Sequence, residues 1–405
     1  MGDAEKMNDK VYWVWAQDAL GISASVKTDE IVSYFGTAKK LYLAGEYEWK
    51  ISGIFTNGQI RKLKSTALDN AEKIVAECDR YRIKIVTPED DGYPSMLFKL
   101  PNLPLVLYVR GDLDCLKNKI TVAMVGAREA SDIGVRIARS LSASLSRSGA
   151  VVISGAARGI DSAAHTGALN AGAKTVAVLG CGFGTNYLPE NEALRREIAH
   201  HGALVTEYPP RTPALGRNFP FRNRIISGLS YGTIVIEANE KSGSLRTVNH
   251  AIEQGRDIFA VPGDITSSMN MGTNKLLRDG AKPVFNAMDV LEEYAERYPD
   301  LLDMKKIETV LKMDQTPMNT SEKVEKKEQT ENKKKTAFVK PAAPKGISDT
   351  AKLVFDSFTQ ETMQAEELIL KTGLSTVDFL SAMTELEILR YVEPLAGKNY
   401  KITAE

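Results

Sequence analysis

The chain has 405 residues, of which 43% are hydrophobic and 26% charged, a composition typical of a globular protein with two to four domains. Lys plus Arg and Asp plus Glu are equal at 52 each, so the net charge indicates no partner, although a neutral sum can conceal a basic groove. The sequence lacks the ~20-residue apolar run of a membrane span and the apolar core of a signal peptide, and its three cysteines are far apart. These features predict a cytoplasmic protein without disulfides, a membrane span or a metal site.

The first predicted domain, residues 1–86, consists of short apolar-periodic segments separated by Gly or Asn. This pattern is typical of a small helical module. Several of its basic side chains could contact a DNA backbone, although a solvated helix surface is the favoured interpretation. They are Lys39, Lys40, Arg61, Lys62 and Lys64.

The second predicted domain covers residues 87–303. After an extended segment containing Pro101 and Pro104, short apolar runs alternate with amphipathic helices about seven times, beginning with the run that ends at Gly126. This alternation is typical of a parallel sheet covered by helices on both faces. The predicted fold class is therefore α/β, with a Rossmann-like parallel sheet.

The last 102 positions are predicted to contain a linker and a third domain. Residues 304–347 are rich in Lys and poor in apolar residues, which predicts a disordered linker. Residues 348–405 suggest three helices and a hairpin with its turn at Gly397 and Lys398, an arrangement that resembles a winged helix.

The candidate site lies in the loops after the predicted strands, because ligands of open parallel sheets bind at the carboxyl ends of the strands. Glycines in these loops allow backbone N–H groups to approach an anion, and arginines can hold two phosphate oxygens at once. The sequence contains no GxxxxGK[ST] motif, and GCGFG differs in spacing from the dinucleotide fingerprint, so no nucleotide cofactor is expected. The residues predicted to bind phosphate are Arg128, Gly155, Arg222, Asn223, Arg224, Lys241, Ser242, Gly243 and Ser244.

Four titratable residues beside these loops could act in catalysis, but structural roles are favoured. Asp161 and His165 are four residues apart on one helix and could form an acid–base pair or structural hydrogen bonds. Glu207 and Glu237 each end a strand and could be catalytic, cap a neighbouring helix or pair with an arginine. No catalytic residue is assigned.

Four aromatic residues near the loops could stack on bases, which would favour single strands, or could pack in the core. The sequence does not decide between these alternatives, and core packing is favoured. The residues are Phe183, Tyr187, Phe219 and Phe221.

Six motifs, in order over half of the chain, resemble the DNA-processing protein A family, also called DprA or Smf. The motifs are VGAREASDIG (125–134), SGAARGIDSAAHTGAL (154–169), GCGFGTNYLPEN (180–191), FPFRNRIISGLS (219–230), EANEKSGSLRTVNHAIEQGRDIFAVPG (237–263) and GTNKLLRDGA (272–281). The helical module is similar to the family's SAM-like or helix-hairpin-helix domain, and the tail is similar to its winged helix.

The resemblance implies a protein that binds single-stranded DNA, forms a homodimer through the Rossmann-like domain and loads the RecA recombinase in natural transformation, without enzymatic activity. It implies a DNA groove that uses Arg128, the loop up to and including Arg222–Arg224, and Lys241–Ser244, with Arg217 as a further candidate. Two departures are mild: Ala127 replaces a common Ser, and Thr247-Val248 replaces a common Thr-Ala.

Two other functions are kept as alternatives. Related Rossmann-like proteins cleave nucleotides with an acidic residue of a PGGxGTxxE loop, so a nucleotide-processing hydrolase is the second hypothesis. This chain has Asn249 and His250 in place of the acid, which argues against that hypothesis. The third is an adaptor in which the winged helix binds a protein and DNA binding is secondary.

Overall fold

The computed structural model describes residues 3–314, 346–360, 362–395 and 399–403. The chain divides into two compact units, Met1–Asn319 and Thr320–Glu405, which are described separately below. The finer domain boundaries at residues 86 and 87 and at 347 and 348 stay predictions.

Helices begin the first unit, as the apolar periodicity predicts. Their sequence also marks where they start: the Thr37 hydroxyl accepts a hydrogen bond from the Lys40 N–H, and Thr56 and Gln59 form a reciprocal capping box. Trp13 and Trp15 are almost fully buried among them. The helices are α1 (Asp3–Leu20), α2 (Thr28–Phe35), α3 (Ala38–Ile51), α4 (Asn57–Ser65) and α5 (Asp69–Arg80).

A large sheet forms the centre of the first unit, and its described strands run in the order β1-β2-β6-β5-β4-β3-β7-β8-β9. Strands β3 to β9 are parallel, with Val122 paired to Val152 and Gly232, whereas β1 and β2 are antiparallel additions at one edge. The Rossmann-like α/β prediction is therefore confirmed. The strands are β1 (Lys84–Val86), β2 (Leu107–Gly111), β3 (Thr121–Val125), β4 (Val151–Ser154), β5 (Thr175–Leu179), β6 (Ala203–Thr206), β7 (Gly232–Val235), β8 (Asp257–Ala260) and β9 (Lys282–Pro283).

Helices connect the parallel strands and cover the sheet. They are α6 (Asp132–Arg147), α7 (Ile160–Asn170), α8 (Glu192–His201), α9 (Asn218–Gly228), α10 (Ser244–Glu253), α11 (Met271–Arg278), α12 (Met288–Ala295) and α13 (Met304–Asp314).

The two faces of the sheet pack against different partners because successive strand residues point to opposite sides. On one face, Val122 and Met124 of β3 share a hydrophobic cluster with Leu141 of α6. On the other face, Ala123 and Val125 belong to a cluster that also contains Ile225 of α9 and the buried residues of the N-terminal helices. One continuous core therefore joins the N-terminal helices to the sheet.

The structure differs from the predicted linker at its beginning. Helix α13 occupies residues 304–314, because Ile307 and Val310, three residues apart on one helix face, are buried there. These two apolar residues are too few to stand out in a Lys-rich segment. Residues 315–345 of the predicted linker lie outside the described residues.

The second unit contains α14 (Asp349–Asp356), β10 (Thr362–Gln364), α15 (Ala365–Thr372), α16 (Thr376–Ile388), β11 (Val392–Leu395) and β12 (Asn399–Ile402). The three helices and the antiparallel pair β11–β12 match the expected elements, and β10 adds a strand to the other side of β12. The proposed turn at Gly397 and Lys398 lies outside the described residues, and the winged-helix assignment stays a prediction. Across both units, none of the described helices has the length and apolar character needed to cross a membrane.

Candidate functional site

A cleft of about 480 Å³ opens at the carboxyl edge of the parallel strands. It lies between the loops that follow β3, β4 and β7 and the first turns of α9 and α10. We call it the arginine cleft. Its polar lining consists of Arg128, Glu129, Asp161, Arg222, Asn223, Asn239, Ser242, Ser244, Arg246 and Thr247.

Close packing fixes the loops of the arginine cleft to one another. Gly159 has a φ of 71°, and a Cβ at this position would overlap the carbonyl oxygens of Ala127 and Arg128. The N–H of Ile160 donates to the Ala127 carbonyl at 3.1 Å, and the N–H of Ala127 donates to the Glu237 carbonyl at 2.8 Å. The loop after β3 is therefore held between the loop after β4 and the end of β7.

Glu237 serves this loop as a cap. Its carboxylate accepts hydrogen bonds from the Ser131 hydroxyl at 2.7 Å and the Ser131 N–H at 2.8 Å. The Ser131 hydroxyl in turn accepts a bond from the N–H of Gly134 in the first turn of α6. The favoured structural interpretation of Glu237 is thus confirmed.

Arg222 forms the floor of the cleft and is buried. Its Nη1 donates to the carbonyls of Val178 and Gly155, the latter at 3.2 Å, and its Nε donates to Oδ1 of Asn223 at 3.1 Å. Burial lowers the pKa of Arg222, and the neighbouring carboxylate of Asp161 opposes that shift. With its donors directed at backbone carbonyls, Arg222 positions the loops of the cleft.

Asp161 and His165 do not form an acid–base pair, because each bonds to a different partner. Asp161 accepts hydrogen bonds from the N–H groups of Gly155 at 3.2 Å and Ala157 at 3.4 Å; burial raises its pKa, against the effect of Arg222. Nδ1 of His165 lies 2.9 Å from the Thr175 hydroxyl, and burial, with a contribution from Arg222, lowers the pKa of His165 to about 3. The structural role favoured from the sequence is confirmed for both residues.

The rim of the arginine cleft carries an exposed cation stacked on a ring. The guanidinium carbon of Arg128 lies 5.6 Å from the centroid of the Phe219 ring, and that of Arg222 lies 5.7 Å from the same centroid. Tyr187 packs against Phe219 with the ring centroids 4.9 Å apart. Phe219 is therefore held by three neighbours, and it orients an arginine that is open to solvent.

The opposite wall is formed by the start of α10. The hydroxyl groups of Ser242 and Ser244 lie 2.7 Å apart. Gly243 lies between them and, because it has no side chain, presents its backbone to the cleft. The first turn of a helix presents unpaired N–H groups and a partial positive charge. Arg246, an exposed residue of this helix that was not predicted, adds a guanidinium to the cleft. The signal that could have found it is its place in the first turn of α10, directly after the predicted Ser242–Ser244 loop.

The structure brings together most but not all of the predicted site. Six predicted residues line the cleft, and Gly155 lies directly beneath, against Arg222 and Asp161. Lys241 and Arg217 are exposed but do not line the cleft. The six lining residues are Arg128, Arg222, Asn223, Ser242, Gly243 and Ser244.

Arg224 lies on the other side of α9 from the arginine cleft. Residues two apart on an α-helix point about 200° apart, so Arg222 and Arg224 face opposite directions. Nη2 of Arg224 donates to Oε1 of Glu207 at 2.7 Å in a buried ion pair, and Phe221 covers the guanidinium at 4.0 Å. The structural role favoured for Glu207 is confirmed as a pairing with an arginine, and the structure gives Arg224 no access to the arginine cleft.

The four aromatic residues named from the sequence are all half-buried. Three of them pack against an arginine: Phe219 as described, Phe221 against Arg224, and Phe183 against Arg110 with the guanidinium 4.9 Å from the ring centroid. The rings therefore combine core packing with a partly open face.

No group of three or more His, Cys, Asp or Glu residues in the described ranges is arranged to hold a metal ion. The elements of the cleft are glycine-rich loops, helix starts and arginines at the carboxyl edge of a parallel sheet. They define a Rossmann-like α/β protein with a cleft suited to anions.

Comparisons with known proteins place this chain among its relatives. Residues 84–295 match the model of the family described as DNA recombination-mediator protein A, and the chain belongs to this family. It is 32% identical to Protein Smf of Synechocystis sp. over 342 residues, covering 82% of this chain and 83% of that protein. It is 42% identical to the DNA processing protein DprA of Streptococcus pneumoniae over 205 residues, covering 51% of this chain and 72% of that protein.

The fold agrees with that relationship. The X-ray structure of DprA from Streptococcus pneumoniae aligns with a TM-score of 0.62 at 33% identity, covering 70% of this chain and 97% of that one. The resemblance inferred from the six motifs is confirmed.

Proposed function

We propose that the chain binds single-stranded DNA in the arginine cleft. The observation that carries this proposal is the exposed Arg128 guanidinium stacked on the half-buried Phe219 ring at the mouth of the cleft. The guanidinium supplies a contact for a phosphate, and the cleft beside it offers aromatic and backbone surfaces to a base. Arg246 and the start of α10 supply positive charge from the opposite wall.

The form of the cleft favours a single strand over a duplex. Phe219 lines the cleft and is half-buried, so a base must leave its stack to reach the ring. In a duplex the bases stay stacked inside, and only the phosphates would reach Arg128 and Arg246.

We extend this proposal from the cleft to the role of the protein. The family is described as recombination mediators, and several relatives are named DNA processing proteins. We infer that the chain protects incoming single-stranded DNA, acts as a homodimer through its Rossmann-like domain and loads the RecA recombinase during natural transformation. Family membership supports these steps.

We also propose that the cleft binds DNA without cleaving it. Ser242 and Ser244 bond to each other, and the hydrogen bonds of two nearby histidines go to other groups: His165 bonds to Thr175, and His250 lies 3.2 Å from the Pro220 carbonyl. The competing hypothesis, a nucleotide-processing hydrolase, requires an activated nucleophile or water in this cleft.

The test is a titration of a fluorescent oligo-dT strand and a matched duplex with the wild-type protein and the Arg128→Ala/Arg246→Ala variant. Each phosphate contact with a single strand adds about 0.7 to the slope of log affinity against log salt concentration. The double variant should therefore lower that slope by about 1.4.

The control is Lys305→Ala/Lys306→Ala, which removes two exposed positive charges from α13, outside the cleft. This variant should keep the wild-type slope. Equal affinity for duplex and single strand, or an Arg128→Ala/Arg246→Ala variant that binds like wild type, would contradict the proposal. Turnover of a nucleotide by the wild-type protein would instead support the hydrolase.

A further inference from the structure

A second basic surface runs beside the arginine cleft, from the loop after β5 across β2 and onto α5. It consists of three clefts of about 490, 400 and 650 Å³. We call these three clefts together the lateral groove. Their basic residues are Lys73, Arg80, Arg110, Arg195, Arg196 and Arg211.

The three clefts are continuous because neighbouring clefts share lining residues. The first and second share Arg110 and Gly184. The second and third share Tyr81, Pro210 and Arg211, among others. The lateral groove thus passes from the loop after β5 across β2 to the last turn of α5.

A pair of aromatic rings connects the lateral groove to the arginine cleft. Tyr187 lines the near end of the groove, and Phe219 lines the arginine cleft. Their ring centroids are 4.9 Å apart, so the two sites share one aromatic wall. A polymer leaving the arginine cleft past Phe219 would reach the groove at Tyr187.

The groove repeats the pairing of arginine and ring found at Arg128 and Phe219. The guanidinium of Arg110 lies 4.9 Å from the centroid of Phe183, and that of Arg80 lies 5.8 Å from the centroid of Tyr81. Tyr81 is 51% exposed, so its ring is open to a stacking partner. Burial lowers the pKa of Arg110, and a bound anion would oppose that effect.

The charge of the groove also fits a phosphate polymer. Two acidic residues line it, and both are already paired: Glu77 with Arg211 at 2.9 Å, and Glu192 with Arg196 at 3.3 Å. Both pairs are at the surface, where ion pairs contribute little, so a phosphate can compete for the arginines. The remaining basic residues leave the groove with a net positive charge.

We propose that the lateral groove binds the continuation of the single strand held in the arginine cleft, so that one DNA strand runs from the sheet onto the N-terminal helices. This inference rests on the proposed function. Proteins that bind single strands combine a basic groove with aromatic stacking platforms, and their sites span about 4–16 nucleotides. The alternation of Arg110, Phe183, Tyr81 and Arg211 along a groove continuous with the arginine cleft has this composition.

The experiment compares a short oligo-dT of about 6 nucleotides with a long one of about 24, a pair that brackets the usual site size. Two variants of the full chain change exposed groove residues only: Arg196→Ala/Arg211→Ala and Tyr81→Ala. Lys305→Ala/Lys306→Ala again serves as the control for the loss of two positive charges. Affinities are measured at about 50 and about 200 mM salt, a range over which phosphate contacts change binding strongly.

We expect the groove variants to affect the long strand alone. Losing two phosphate contacts lowers the salt slope by about 1.4, so the loss of affinity between about 50 and 200 mM salt becomes about 7-fold smaller than in wild type. Tyr81→Ala should weaken binding of the long strand by at least about 5-fold, the equivalent of one stacked base. Binding of the short strand should stay at the wild-type level.

Each other result counts against the inference. If the groove variants bind the long strand like wild type, the strand does not enter the groove. If they weaken the short and long strands equally, the groove does not hold a continuation of the bound strand. In both cases the proposed function stands. If the wild-type protein binds neither oligonucleotide, the proposed function fails as well.

Discussion

Gly155 is the position where one added methyl group should test the architecture of the cleft. A Cβ at this residue would lie 2.7 Å from Nη2 of Arg222 and 2.7 Å from Oδ2 of Asp161, closer than real Cβ contacts allow. Both neighbours are buried and hydrogen-bonded to the Gly155 backbone, so neither can retreat without losing a bond. Gly155→Ala should therefore displace the floor of the arginine cleft.

The loss of stability in Gly155→Ala can be worked out from the displacement of Arg222 and Asp161. Overpacking a buried site costs about 1–3 kcal/mol, and one hydrogen bond to a charged group contributes about 1.5–3 kcal/mol. Loss of a single such bond with modest strain lowers the free energy of unfolding by about 3 kcal/mol. Because Arg222 also supports Phe219, the orientation of Arg128 is disturbed, and affinity for oligo-dT should fall by at least about 5-fold.

The assay is urea denaturation followed by tryptophan fluorescence. The three tryptophans of the chain, Trp13, Trp15 and Trp49, lie in α1 and α3, so the signal reports unfolding of the first unit. Gly216→Ala is the matched control, because Gly216 also lines the cleft and a Cβ there meets nothing within 4 Å. A Gly155→Ala protein as stable as the Gly216→Ala protein, with unchanged DNA affinity, would refute the reasoning.

Two further predictions separate structural from binding residues. Arg224→Ala leaves the buried carboxyl group of Glu207 without its partner, so the free energy of unfolding measured in urea should fall by about 3–5 kcal/mol. Arg128→Ala should change that free energy by less than about 0.5 kcal/mol and should lower the salt slope of DNA binding. Burial keeps His165 neutral in the folded protein, with a pKa of about 3 against an ordinary value of 6.5, so the unfolded chain binds the additional proton between those values. The free energy of unfolding should therefore fall by about 1.4 kcal/mol per pH unit as the pH drops below about 6.5. A His165→Gln variant, compared with wild type from pH 7 to 5, should lack this pH-dependent loss. An identical pH dependence in both proteins would contradict a neutral, buried His165.

Much of the fold could be predicted from the sequence because its signals are local. Apolar runs such as the one before Gly126, each followed by an amphipathic helix, identify parallel strands without knowledge of their order. The loops after those strands must meet at one edge, so Arg128 and Ser242–Ser244 could be assigned to one cleft. The favoured roles of Glu207 and Glu237 also followed from their positions at strand ends.

The predictions were wrong or incomplete where the result depends on which way a helical side chain points, or on packing between residues that are distant in sequence. The family resemblance placed Arg222 and Arg224 in one DNA-binding loop, whereas both lie in α9, which turns Arg222 to the cleft and Arg224 to Glu207. Arg246 was missed because its access to the cleft depends on where α10 begins. The start of α13 was missed because Ile307 is buried by residues that are distant in sequence.

The two arginines of α9 make this helix a link between the arginine cleft and the N-terminal helices. Arg222 fixes the floor of the arginine cleft, while Arg224 binds Glu207, whose backbone carbonyl accepts a hydrogen bond from Nε2 of Gln17 in α1 at 3.0 Å. The helix therefore joins the cleft to the N-terminal helices through buried polar contacts, which are costly to break. A strand that occupied both the arginine cleft and the lateral groove would bind surfaces already held rigidly together, and little of its binding energy would be spent on ordering them.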